Sequence, residues 1–193
     1  MNEKHILILK GSPRKKGNSS ILADQVAAGA KQAGADVESF TLQKMNIHPC
    51  KGCDACHRSK DGECTTRDDM AILFPKLRSA DGIVIASPVY WFTFSAQIKA
   101  CIDRWYAFET PQGNALSGKQ FALVLTYGDT DPYSSGGVNA IHTFQDICRY
   151  LRAHVAGIVY GSAGDAGAIQ QQPALLEKAY KLGQKLGSAN WAL

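Results

Sequence analysis

The sequence predicts an α/β fold: a five-stranded parallel sheet covered on both faces by helices, in a three-layer sandwich. Three observations predict it. Short apolar runs alternate strictly with helix-length amphipathic segments, five of each. Most of the runs are apolar on consecutive residues, as strands covered on both faces must be. The second run is more polar than the others and suits a sheet edge. Such alternation implies right-handed crossovers between parallel strands, and the order expected is 2-1-3-4-5.

In chain order, the strands are expected at Ile6–Leu9, Val37–Leu42, Ile83–Ala86, Phe121–Leu125 and Val155–Tyr160. Asn18 can cap the first helix, which carries Leu22, Val26 and Ala30 at fourfold spacing. Asp68 can cap the second, with Met70, Leu73, Phe74 and Leu77 on one face. The third shows Ile98, Cys101, Ile102 and Trp105; the fourth, Val138, Ile141, Phe144, Cys148 and Leu151. Pro173 suits the first position of the fifth, which carries Leu175, Leu176, Ala179, Leu182 and Leu186. The fifth strand is apolar for an edge, which suggests cover from a second subunit.

The 193 residues, 45% of them hydrophobic, suit one domain over 1–193 with a cysteine-rich loop at about 46–67. Basic residues number 21 against 17 acidic, a net +4 spread along the chain. No basic stripe with interleaved aromatics is present, so no nucleic-acid partner is expected. No run of about 18 apolar residues suggests a membrane span. The lead-in Met1–His5 reads as no signal peptide, so the expected location is cytoplasmic. There, six cysteines are expected as reduced thiols, metal ligands or redox groups rather than structural disulfides.

Gly11–Ser20 follows the first strand and opens a helix. Its backbone N–H groups and the positive helix end make a phosphate site, to which Ser12, Arg14, Asn18, Ser19 and Ser20 add donors or charge. It is not a Walker A loop, because Gly11 and Gly17 are one residue too far apart and Asn18 stands where lysine would be. After the third strand, Pro88, Val89, Tyr90, Trp91 and Phe92 lead to Phe94: four aromatics in five residues. The ends of strands one and three flank the topological switch point, where α/β sheets bind ligands. A phosphate at one loop and a flat ring at the other is the shape of FMN. Tyr127 and Gly128, after strand four, could approach the ring, and Gly128 would permit close contact.

These two motifs, Gly11-Ser12-Pro13-Arg14 with Gly17-Asn18-Ser19 and Ser87-Pro88-Val89-Tyr90-Trp91, resemble the NADPH-dependent FMN reductase family over nearly the whole chain. The resemblance implies a flavodoxin-like fold. It implies phosphate binding by Ser12, Arg14, Gly17, Asn18 and Ser19, and ring contact by Pro88 to Phe92. It also implies NAD(P)H as co-substrate and a homodimer or homotetramer.

Cys50, Cys53, Cys56 and Cys64 form C-x2-C-x2-C-x7-C. Four thiolates so spaced can hold a [4Fe–4S] cluster or a tetrahedral Zn²⁺, or remain redox-active thiols. Lys51, Arg58, Lys60 and Arg67 would offset the negative charge. The spacing resembles the iron-sulfur flavoprotein branch of the same fold, which implies a cluster and a one-electron partner such as ferredoxin. Cys101 and Cys148 read as buried core, and His57 as a surface residue. Hydride transfer through flavin needs no protein acid or base, so no catalytic side chain is assigned.

Overall fold

The computed structural model describes residues 3–58, 62–188 and 191. Lys60, Met1 and Asn2, named above, lie outside these residues. The five strands are β1 (His5–Lys10), β2 (Asp36–Thr41), β3 (Gly82–Tyr90), β4 (Gln120–Tyr127) and β5 (His154–Ser162). All neighbours are parallel, in the order β2-β1-β3-β4-β5, as the alternation implied. The principal helices are α1 (Asn18–Gln32), α2 (Met70–Ser79), α3 (Ala96–Asp103), α4 (Gly137–Leu151) and α5 (Pro173–Gly187).

The sheet separates two cores. Ile6, Ile8, Val84 and Val124 face α1 and α5, where Leu22, Val26, Ala179 and Leu186 cover them. Leu7, Leu9, Ile85 and Leu123 face the other way, onto Leu73, Ile98, Phe144 and Cys148 of α2, α3 and α4. Strand residues alternate between these cores, which is why the central runs are apolar at every position. The two edge strands are less buried than β1, β3 and β4. Along β2 no residue is fully buried, and β5 leaves Val155 and Tyr160 each 44% exposed. No helix among the described residues is long and apolar enough to cross a membrane.

Three local expectations are corrected. Asn18 is the first residue of α1 rather than its cap; Gly17 holds the cap position, and Asn18's side chain is committed elsewhere. Asp68 accepts the Met70 N–H at 3.0 Å, yet Asp69 stands at the cap position of α2, and Asp68's other oxygen bonds to Arg104. The third strand does not stop at Ala86. Pairing with β4 continues through Pro88 and Thr126, so Ser87–Tyr90 is strand rather than loop.

Candidate functional site

Because the strands are parallel, their carboxyl ends share one edge of the sheet. There the ends of β3 and β4 and the segments that follow β1, β4 and β5 meet at a groove of about 190 Å³. One wall is Ser12, Arg14, Gly17 and Asn18; the next is Pro88, Val89 and Tyr90; the third is Thr126, Tyr127 and Gly128. Ala163 and Gly164, after β5, complete it. This last wall was not foreseen, although the run of small residues from Ser162 to Ala168 was a signal. Ser19, Trp91 and Phe92 do not line the groove.

The base of the groove is locked by short polar contacts. Gly11 N–H donates to Ala86 O at 2.8 Å, and the Ser95 hydroxyl donates to Gly11 O at 2.8 Å. Ser95 N–H donates to Ser87 Oγ at 3.0 Å. Gly17 packs so closely on Ser12 that a Cβ would lie 2.1 Å from its hydroxyl oxygen. The Asn18 amide nitrogen donates to Ala163 O at 2.9 Å and to Asp165 O at 2.8 Å. Its oxygen accepts the N–H groups of Gly167 (2.9 Å) and Ile169 (3.3 Å). Asn18's side chain therefore fastens the fourth wall to the first, and what it can offer to a ligand is its backbone N–H.

The positive end of α1 stands open. Its first turn carries neither an acidic residue nor a side-chain cap, so its leading N–H groups are left for an anion. Ser19 is wholly buried in that turn, and its hydroxyl has no hydrogen-bond partner among the described residues. A buried hydroxyl without a partner is costly. Arg14, exposed beside the turn, donates to Gly164 O at 3.1 Å.

The aromatic segment is a hairpin. Val89 pairs with Phe94 and Tyr90 with Thr93, and Trp91 and Phe92 form the two-residue turn. Their φ angles are 46° and 66°, left-handed at both positions. Such turns ordinarily use asparagine and glycine. Bulky residues there cost on the order of 1–3 kcal/mol each and persist only when their surroundings insist on it. Part of the insistence is visible: Gly136 packs against Phe92 so tightly that a Cβ would lie 2.5 Å from it. Trp91 nonetheless projects into solvent, 91% exposed. Across the groove, burial and then the charges of Tyr160 and Asp131 raise the Tyr127 phenol above its ordinary pKa, so it keeps its proton.

The cysteine loop leaves the sheet after β2. Its mouth is closed by Asp69 N–H to Asn46 O (2.9 Å), Asn46 N–H to Asp69 Oδ2 (2.7 Å) and His48 N–H to Asp68 Oδ2 (2.9 Å). Cys50 and Cys53 are exposed; Cys56, in the helical turn Ala55–Arg58, and Cys64 are half-buried. Burial, then the charge of Cys64 and, more weakly, those of Cys50 and Cys53 raise the Cys56 thiol above its ordinary value, against a backbone hydrogen bond that lowers it. Among the described residues, no three metal-binding side chains close around a single ion. Burial pushes the Cys64 thiol up, but the Thr66 N–H and the Arg104 guanidinium outweigh it and bring it below its ordinary value. His57 is occupied with Tyr106, their rings 4.2 Å apart. Cys101 and Cys148 are buried, as expected, with burial pushing both thiols up to about 12.

A doubly wound parallel sheet with an uncapped helix end and a groove at its switch point is a flavodoxin-like architecture. The chain belongs to the NADPH-dependent FMN reductase family, whose model matches residues 5–168. It is 33% identical over 183 residues to an iron-sulfur flavoprotein of Archaeoglobus fulgidus, covering 93% of this chain and 77% of that one. It is 32% identical over 167 residues to an iron-sulfur flavoprotein of Methanosarcina thermophila, covering 86% and 82%. In fold it is similar to the NAD(P)H:quinone oxidoreductase of Methanothermobacter marburgensis, with a TM-score of 0.73, 18% identity and full coverage of both chains.

Proposed function

We propose that the chain binds FMN in the strand-end groove, takes reducing equivalents from NAD(P)H and passes them to an acceptor, with a [4Fe–4S] cluster held in the cysteine loop. The observation that carries this reading is the groove itself, with the uncapped end of α1, Ser12 and Arg14 on one side and Pro88, Val89 and Tyr90 on the next.

The donor set fits FMN. The N–H groups of Gly17–Ser19 and the Ser12 and Ser19 hydroxyls would take the phosphate, with Arg14 adding charge. Pro88, Val89 and Tyr90 would lie along the ring, with Trp91 and Phe92 at its rim and Tyr127 and Gly128 opposite. Bound flavin supplies the hydride and electron chemistry. The protein's own task is placement: Ser95 and Ser87 fix the first two walls, and Asn18 fixes the fourth. Tyr127 presents a protonated hydroxyl rather than a negative charge.

Cys50, Cys53, Cys56 and Cys64 put four thiols in one loop, a donor set that suits a [4Fe–4S] cluster. The names of the relatives support the same choice. A cluster supplies one-electron exchange, which suits an acceptor such as ferredoxin. The cysteine loop also favours a second reading, a carrier between one-electron partners with little NAD(P)H activity. The exposed Val155 and Tyr160 on β5 support a homo-oligomer.

Anaerobic purification with flavin and iron counted per chain, followed by stopped-flow mixing with NADPH, tests these readings. Stoichiometric FMN that bleaches on a catalytic timescale is expected. Flavin that fails to bleach leaves the carrier; protein that takes up no FMN overturns both.

A further inference from the structure

Arg104 follows α3 on the face that buries Ile98 and Cys101, and it is only 2% exposed. A guanidinium removed from water costs several kcal/mol unless it is well paired. Here Nη1 donates to Asp68 Oδ2 at 2.5 Å and to His48 O at 2.9 Å. Nη2 donates to Cys64 Sγ at 3.2 Å and to Thr66 O at 3.3 Å. Asp68's side chain is fully buried and is itself fixed by the N–H groups of His48 and Met70. Neutralising a buried charge needs only Asp68. The remaining contacts go to both arms of the cysteine loop: His48 where it enters, Cys64 and Thr66 where it returns. Cys64 is the thiol set apart from the other three by the long arm of the motif. Without an anchor, that arm would have to be ordered at an entropic cost each time the four sulfurs were brought together.

We propose that Arg104, held by Asp68, is the positioning residue of the cysteine loop: it fixes the Cys64 sulfur for the cluster and sets the cluster's reduction potential through its N–H···S hydrogen bond. This rests on the cluster reading given above. Hydrogen bonds to ligand sulfurs withdraw negative charge and favour the reduced cluster, and groups that orient ligands tune the metal they hold.

The test compares wild type, R104K and the double variant D68N/R104M, which removes both charges together so that neither is stranded. Iron and FMN content and both midpoint potentials are measured on the anaerobically reconstituted full chain. The cluster's midpoint is expected to move to more negative values in D68N/R104M and by a smaller amount in R104K, with the FMN midpoint unchanged. Loss of iron with FMN retained supports the proposal equally. A fully loaded cluster with an unchanged midpoint in R104K, which keeps the charge and its partner, overturns it.

If wild type takes up no iron, the cluster reading fails, and the anchoring is judged on the thiols alone. Cysteines are alkylated at about pH 10, above the ordinary thiol pKa of about 8.5, and mapped by mass spectrometry. Cys64 is expected to label several-fold faster in D68N/R104M relative to Cys50 in the same chain. An unchanged ratio overturns the anchoring.

Discussion

The strand-end groove and the cysteine loop are built on opposite plans. The groove's walls are direct continuations of four strands of one sheet, joined to each other by several independent hydrogen bonds. The loop spans about twenty residues, has one helical turn among its described residues, and is anchored at its mouth and by the buried Arg104 guanidinium. A site on rigid strands can tolerate strain, and the hairpin turn at Trp91 and Phe92 is where it is kept. A site on a loop must be anchored, and Arg104 with Asp68 supplies the anchor.

The largest effect is expected where the loop has least redundancy. Asp68→Asn leaves Arg104 buried without its counter-charge and should cost about 3–5 kcal/mol, read from the urea unfolding midpoint. Burial raises the Asp68 carboxyl, but the Arg104 hydrogen bond and the His48 and Met70 N–H groups outweigh it and hold the pKa below the ordinary range. Its folded-state value is depressed, so its contribution is complete above about pH 4, the unfolded value, and is lost as pH falls through the lower folded value. Wild type should therefore lose stability in acid more steeply than the Asn variant. Parallel acid profiles would show that this pair is not the loop's anchor.

The groove should yield in function before stability. Gly17→Ala places a methyl where the Ser12 side chain lies, displacing a phosphate donor. FMN binding should weaken at least tenfold, about 1.4 kcal/mol, with the unfolding midpoint of the apoprotein changed much less. Unchanged affinity in a fluorescence titration would remove Ser12 and Gly17 from the site.

The double change W91N/F92G gives the hairpin the residues its turn prefers. It should stabilise the protein by on the order of 1 kcal/mol or more while slowing flavin bleaching by NADPH. If both rates and stability stay level, the strained turn has no role at the groove.

The smallest effect is a silence. Cys101 and Cys148, buried and pushed up to about 12, should not react with a thiol reagent in the folded apoprotein, while the four loop cysteines do. Rapid reaction of six thiols before unfolding would contradict the core assignment.

Sheet order, helix faces and the two buried cysteines were legible because their signal is periodic, and burial on both sides of a parallel sheet leaves no choice of residue type. The first three walls of the groove were legible for a related reason: parallel strands send their following loops to one edge, so three local motifs could be placed together from topology alone. Asn18 was legible as a polar residue at a helix start, but the residues it bonds, Ala163 to Ile169, are about 145–150 positions away. Arg104 did leave a trace in the chain, as a cation on the face that Ile98 and Cys101 make apolar. Nothing local says that its counter-charge is Asp68, thirty-six residues earlier, or that Cys64 shares it.

The sequence by itself determined the layers, the strand order and the family, because hydrophobic period and short contiguous motifs act over a few residues. Only the tertiary structure decided which buried polar groups satisfy one another, where the fourth wall of the groove comes from and which cysteine is anchored. Those outcomes depend on desolvated groups finding partners across the fold, and the energy of such a pairing belongs to the two positions together and to neither one alone.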